Sequence, residues 1–118
     1  NDGAKSNDNY FFIKEANGLT KLYYHDVLYV ESYGDFSKVY TLDQKNHLVL
    51  ANLKSIESQL PHNTFIRIHR QYIININHLN GIKNGDVILK DEKSIPFSAT
   101  FKQNLDLILA NKIITRTA

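Results

Sequence analysis

Between Phe65 and Leu79 the chain reads FIRIHRQYIININHL, and no other run constrains the fold as much. Ile66 and Ile68 alternate with Arg67 and His69, the period of two that sends strand side chains to opposite faces. The alternation breaks at Arg70-Gln71, and apolar-rich sequence resumes at Tyr72-Ile73-Ile74. Two apolar flanks therefore hold a short cationic break, which is what a recognition surface needs. A strand pair joined by a solvated turn has the same pattern, since loops are generally polar and exposed. On pattern alone the two readings carry equal weight.

The rest of the chain reads as short strands separated by turn residues. Strands are expected at Tyr10–Ile13 and Leu19–Tyr24, joined through the hairpin dipeptide Asn17-Gly18. Val27–Val30 is apolar enough to be buried on both faces, and ESYGD ends in a Gly34-Asp35 turn. Phe36–Leu42 follows, with Phe36, Lys38 and Tyr40 on one face and Ser37, Val39 and Thr41 on the other. Residues 43–46 form a polar loop before His47–Leu50. Leu53, Ile56 and Leu60 make an amphipathic stripe, with Asn52 as N-cap and Pro61 as terminator. Strands are expected again near Asn77–Ile82, Asp86–Lys90 and Ser94–Phe97, joined by turns at Asn84-Gly85 and Asp91-Glu92. Phe101, Leu105, Ile108 and Leu109 then predict a helix over Thr100–Asn111, with Ser98 as its cap; KIITRTA gives no assignment. The fold class is mainly β, with two short helices.

A chain of 118 residues is naturally one domain, here over residues 10–118. Seven Tyr and six Phe within a 42% hydrophobic composition supply a real core. The polar start, NDGAKSNDN, reads as a disordered linker or expression remnant over residues 1–9, where an upstream domain would join. The lack of any methionine suits a piece of a longer or processed chain. Without cysteine there is no disulfide framework and no thiolate site, which fits a cytoplasmic address. No apolar run approaches the roughly 18–20 residues of a membrane span, and no signal-peptide core precedes the first strand.

Catalysis finds little footing. The five histidines form no close pair suited to zinc, and neither a P-loop nor a dinucleotide fingerprint surrounds the glycines. No nucleophile elbow singles out a serine. The chain reads as a non-enzyme that needs no cofactor. A net charge of +2, from 14 Lys+Arg against 12 Asp+Glu, is too mild to diagnose a nucleic-acid binder, so any basic footprint must be local. Arg67, His69, Arg70 and Gln71 supply one. Arginine suits guanine, glutamine suits adenine, and cations hold phosphates without reading sequence. For Arg67 an internal salt bridge, and for His69 a turn cap, are equally good readings. Arg70 and Gln71 are better contacts because they sit at the break.

FIRIHRQYIININHL closely resembles the signature of the LytTR (LytR/AlgR) family of bacterial DNA-binding domains. VLYVESYGD at Val27–Asp35, LKSIESQLP at Leu53–Pro61 and IPFSATF at Ile95–Phe101 resemble further family segments in the family's order, covering residues 10–111. The resemblance implies a stack of small antiparallel sheets that meets double-stranded DNA through loops rather than a recognition helix. The three places where the family reaches DNA correspond here to Ser37-Lys38, His69-Arg70-Gln71, and Ala99-Thr100 with Lys102 nearby. The third often carries arginine in the family, where this chain has Ala99 and Thr100. Arg67 and Asn75 are expected to orient the motif or touch the backbone. The family further implies the cytoplasmic output half of a two-component response regulator, behind a phosphorylatable receiver. It also implies direct-repeat sites occupied by two copies. A β-rich protein-interaction module without DNA readout is the competing reading.

Overall fold

The structure, a computed structural model, describes residues 9–116. In chain order it forms β1 (Tyr10–Glu15), β2 (Gly18–Tyr23), β3 (Val27–Tyr33), β4 (Phe36–Thr41), β5 (Asn46–Val49) and helix α1 (Leu53–Gln59). These are followed by β6 (Phe65–His69), β7 (Tyr72–Asn75), β8 (Leu79–Lys83), β9 (Asp86–Leu89), β10 (Lys93–Pro96) and helix α2 (Lys102–Leu109). Every pairing is antiparallel. A five-stranded sheet in the order β5-β4-β3-β7-β6 lies between a β1-β2 hairpin and a three-stranded β8-β9-β10 meander.

Alternation along the strands builds a core on each face of the five-stranded sheet. Val30, Val39 and Ile73 pack with Ile13 and Leu22 of the first hairpin, with Leu53 of α1 and with Leu60 just past its end. Their sequence neighbours Tyr29 and Ile74 face the other way, where Ile66, Ile68, Val87, Leu89, Ile95 and Leu105 complete the second cluster. Val27 to Val30 are all buried, as their unbroken apolar run predicts. A register shift between Val27 and Tyr29 lets Leu28 and Tyr29 both join the second cluster. Ile68, Ile73 and Ile74 have no exposed surface, and full burial of such a side chain contributes about 1.5–3 kcal/mol.

Helix α1 begins where expected. The Asn52 side chain accepts the Ser55 N–H at 2.8 Å, and the helix stops at Leu60, before Pro61. Elsewhere the structure revises the boundaries. The first hairpin turns on Ala16-Asn17, with Gly18 opposite Glu15 and at φ 137, so Gly18 opens the strand instead of filling the turn. Residues 76–78 form a 3-10 turn rather than strand, because the Asn75 side chain captures the Asn77 N–H at 2.9 Å. Ser98 makes no side-chain cap; its N–H donates to the Ile68 carbonyl at 3.0 Å, and a 3-10 turn over Ala99–Phe101 precedes the shorter α2. Of the expected linker, residues 1–8 lie outside the described residues, while the Asn9 carbonyl accepts the Tyr24 N–H at 2.9 Å. No helix among the described residues is long and apolar enough to cross a membrane.

Candidate nucleic-acid interface

Strand direction brings the three expected segments to one end of the molecule. Strand β3 ascends to Tyr33 and β4 descends from Phe36, closing on Gly34-Asp35. Strand β7 is antiparallel to β3, with Tyr72 opposite Glu31, so the β6-β7 turn lies beside the β3-β4 turn. The Ser32 N–H donates to the Gln71 carbonyl at 2.8 Å and fastens the two turns together. On the other flank, the bond from Ser98 to Ile68 places the Ala99–Phe101 turn next to the end of β6.

Arg67 braces this end. Its Nη1 donates to Glu57 Oε1 of α1 at 2.7 Å, its Nε to the His69 carbonyl at 2.8 Å, and its Nη2 to the Arg70 carbonyl at 2.5 Å. The guanidinium lies 5.4 Å from the Phe101 ring centroid, while Asn104 Nδ2 donates to the Arg67 carbonyl at 2.9 Å. One side chain therefore ties α1, the β6-β7 turn and the approach to α2 into a unit. With only 13% of its side-chain surface exposed, Arg67 acts as the internal ion pair that its pattern also allowed.

The turn so braced presents Arg70 and Gln71, both exposed. No described carboxylate lies within salt-bridge distance of the Arg70 guanidinium. His69 Nδ1 accepts the Gln71 N–H at 3.1 Å, so the neutral ring carries its proton on Nε2, a donor available to an acceptor outside the turn. The His69 ring also rests against Tyr72, at 5.5 Å between centroids.

The flanking candidates separate by burial. Lys38 is half-buried, with its Nζ 4.3 Å from the centroid of the exposed Tyr33 ring. Ser37 is the correction: its side chain has no exposed surface, and its hydroxyl donates to the Ala51 carbonyl at 2.9 Å. Asn75, expected to orient the motif or touch the backbone, makes internal contacts. It too has no exposed surface, and its Nδ2 donates to the Tyr24 and Val27 carbonyls at 3.1 and 2.9 Å. Both positions fall on the inward face of their strands, where a small or amide side chain satisfies backbone groups. Thr100 and Lys102 are exposed at the third segment, but Lys102 Nζ lies 3.1 Å from Asp106 Oδ2, which offsets its charge.

Sequence reasoning missed Glu57 and Asn104, the anchors of Arg67, and the exposed aromatic pair Tyr33 and Phe36 at the β3-β4 turn. Directly opposed aromatics flanking a Gly-Asp turn were a legible signal; Glu57, one polar residue on a polar helix face, was not.

Below this end sits a tyrosine cluster organised by Glu31. Its carboxylate accepts the Tyr40 hydroxyl at 3.0 Å and the Tyr72 hydroxyl at 3.4 Å, and Tyr29 stacks on Tyr40. Burial, reinforced by the Glu31 charge and hydrogen bonds, holds the Tyr40 and Tyr72 phenols above their usual range. Burial pushes Tyr29 higher still, with Tyr40 and Glu31 adding to the effect. These phenols stay neutral and keep Glu31 occupied directly across from Lys38.

A β-rich scaffold that gathers cationic and amide side chains on three adjoining turns is a nucleic-acid-binding type of domain. The family model of the LytTr DNA-binding domain matches residues 17–110, and the chain belongs to that family. The chain is similar to the sensory transduction protein LytT of Bacillus subtilis, with 30% identity over 71% of this chain and 36% of that protein. The LytT protein of Bacillus cereus is 29% identical over the same shares. The matched part thus spans about a third of these relatives' length. Among solved structures, a LytTr DNA-binding domain from Bacillus cereus superposes with a TM-score of 0.73, covering 86% of this chain and 97% of that one at 21% identity. That likeness supports the antiparallel stack of sheets expected from the sequence.

Proposed function

We propose that this domain reads double-stranded DNA sequence-specifically through the β6-β7 turn, as the output domain of a transcription regulator. Arg70 makes the principal base contact, with His69 and Gln71 beside it and Lys38, Thr100 and Lys102 on bases or phosphates along the flanks. The observation that carries this reading is the brace: Arg67 fixes the backbone carbonyls of His69 and Arg70 while the Arg70 side chain stays exposed. A backbone fixed before binding loses little entropy on contact, so more of the contact energy goes into affinity.

The matched relatives are longer proteins named for sensory transduction, which supports a cytoplasmic response regulator with a receiver domain attached to this one. Two copies would occupy direct repeats. The domain functions without a cofactor and without catalysis in this reading. The test is selection of bound duplexes from a random library, followed by titration of the enriched and scrambled duplexes at two salt concentrations. A repeated motif bound selectively is expected. Equal, weak, salt-sensitive binding to both duplexes would leave the domain as an interaction module.

A further inference from the structure

We propose a fourth contact with the same duplex: the β8-β9 turn binds a DNA phosphate through Lys83, outside the three segments described above. This rests on the DNA-reading function just proposed and adds a positioning site to it. Lys83 pairs with Asp86, and the turn between them consists of Asn84 and Gly85 at φ 54 and φ 86. Two left-handed central residues make the tight hairpin turn whose twist matches the flanking strands, so Lys83 projects from a rigid base.

The turn's place in the fold points to the interface. The Gly85 carbonyl accepts the Phe97 N–H at 3.3 Å, and the next residue, Ser98, donates to the Ile68 carbonyl at 3.0 Å. Ile68 directly precedes the His69-Arg70 turn. Two hydrogen bonds and a few residues therefore separate Lys83 from the reading turn. A protein seated in a major groove about 12 Å wide also meets the bordering phosphates.

Lys83 is also electrostatically available. Asp86, across the turn, has its Oδ2 engaged by the Ser94 hydroxyl at 2.9 Å, and no described carboxylate lies within salt-bridge distance of Lys83. At the opposite end of the same sheet, Lys90 and Lys93 flank the acidic Asp91 and Glu92 in sequence. Lys83 thus lies at the end of its sheet that is linked through Phe97 and Ser98 to the reading turn.

The test titrates the selected and scrambled duplexes against salt with four proteins: wild type, Lys83→Gln, Arg70→Ala, and Lys45→Gln as a control. Lys45 is exposed in the β4-β5 loop, at the far end of the central sheet. Losing one phosphate contact lowers the slope of log affinity against log salt by about 0.9, which is about eightfold at ~0.1 M salt. Lys83→Gln should show that loss equally on every duplex, with base preference intact. A single neutral methylphosphonate at the contacted position should weaken wild type and leave Lys83→Gln unchanged. If Lys83→Gln matches Lys45→Gln in affinity and slope while wild type still binds selectively, the fourth contact is wrong and the DNA-reading function stands. If wild type itself shows no selectivity, both fall together.

Discussion

The Arg67 guanidinium meets the Glu57 carboxylate at 2.7 Å, ten residues back in the chain, and so anchors the β6-β7 turn to the side of α1. The pair is asymmetric, with Arg67 largely enclosed and Glu57 at 39% exposure. Its energetic weight therefore comes less from the ion pair than from the two backbone carbonyls that the same guanidinium satisfies. A lysine cannot reproduce that planar fork.

Arg67→Lys should accordingly keep the net charge yet lower both thermal stability and DNA affinity. Arg67→Ala should cost about 1–3 kcal/mol of unfolding free energy, measured by urea titration, because partners of a charge-assisted hydrogen bond are left unmatched. Glu57→Gln should be milder, since the carbonyl contacts survive. A larger loss for Glu57→Gln than for Arg67→Lys would show that charge pairing, not backbone bracing, is what Arg67 provides.

Asn75 and Ser37 are predicted to affect folding without affecting base preference. Asn75→Ala leaves the Tyr24 and Val27 carbonyls without their side-chain donor, with an expected cost of about 2–4 kcal/mol. Ser37→Ala removes one hydroxyl donor to Ala51, with an expected cost of about 0.5–1.5 kcal/mol. The folded fraction of each variant should select the same DNA motif as wild type. A changed motif for either would place that residue on the DNA.

The strands and hairpins were legible wherever side-chain alternation and turn chemistry agreed. Val27–Val30, the Gly34-Asp35 turn, and α1 between Asn52 and Pro61 all follow from residue type. What could not be seen was any local rule overridden by a distant partner. Ser98 looks like a helix cap, but β6 engages its backbone, and Asn75 looks like a polar strand residue, although it turns the chain and bridges to β3. The candidate site divides in the same way. Arg70 and Gln71 stand out because they interrupt a pattern, whereas Ser37 and Lys38 differ in burial through strand parity, and α1 supplies the partner that makes Arg67 a brace.

The tyrosine cluster sets the alkaline limit of stability. Tyr29, Tyr40 and Tyr72 have folded-state pKa values raised above the unfolded value near ~10. The neutral phenols are favoured by folding, so their contribution is fully present below pH ~10 and is lost as the pH rises through the folded values. Unfolding free energy should fall above pH ~10, and phenolate absorbance from Tyr29 should appear only with global unfolding. Titration of all seven tyrosines in the native state near pH 10 would contradict this arrangement.

The central claim is that Arg70, held out by Arg67, reads a base. The direct measurement is a set of binding titrations with wild type and Arg70→Ala on the selected duplex and on variants substituted at each base pair. The account predicts that Arg70→Ala weakens binding to the selected duplex by about 1–3 kcal/mol and abolishes discrimination at one base position, leaving the others intact. Undiminished affinity and an unchanged preference at every position would remove Arg70 from the interface.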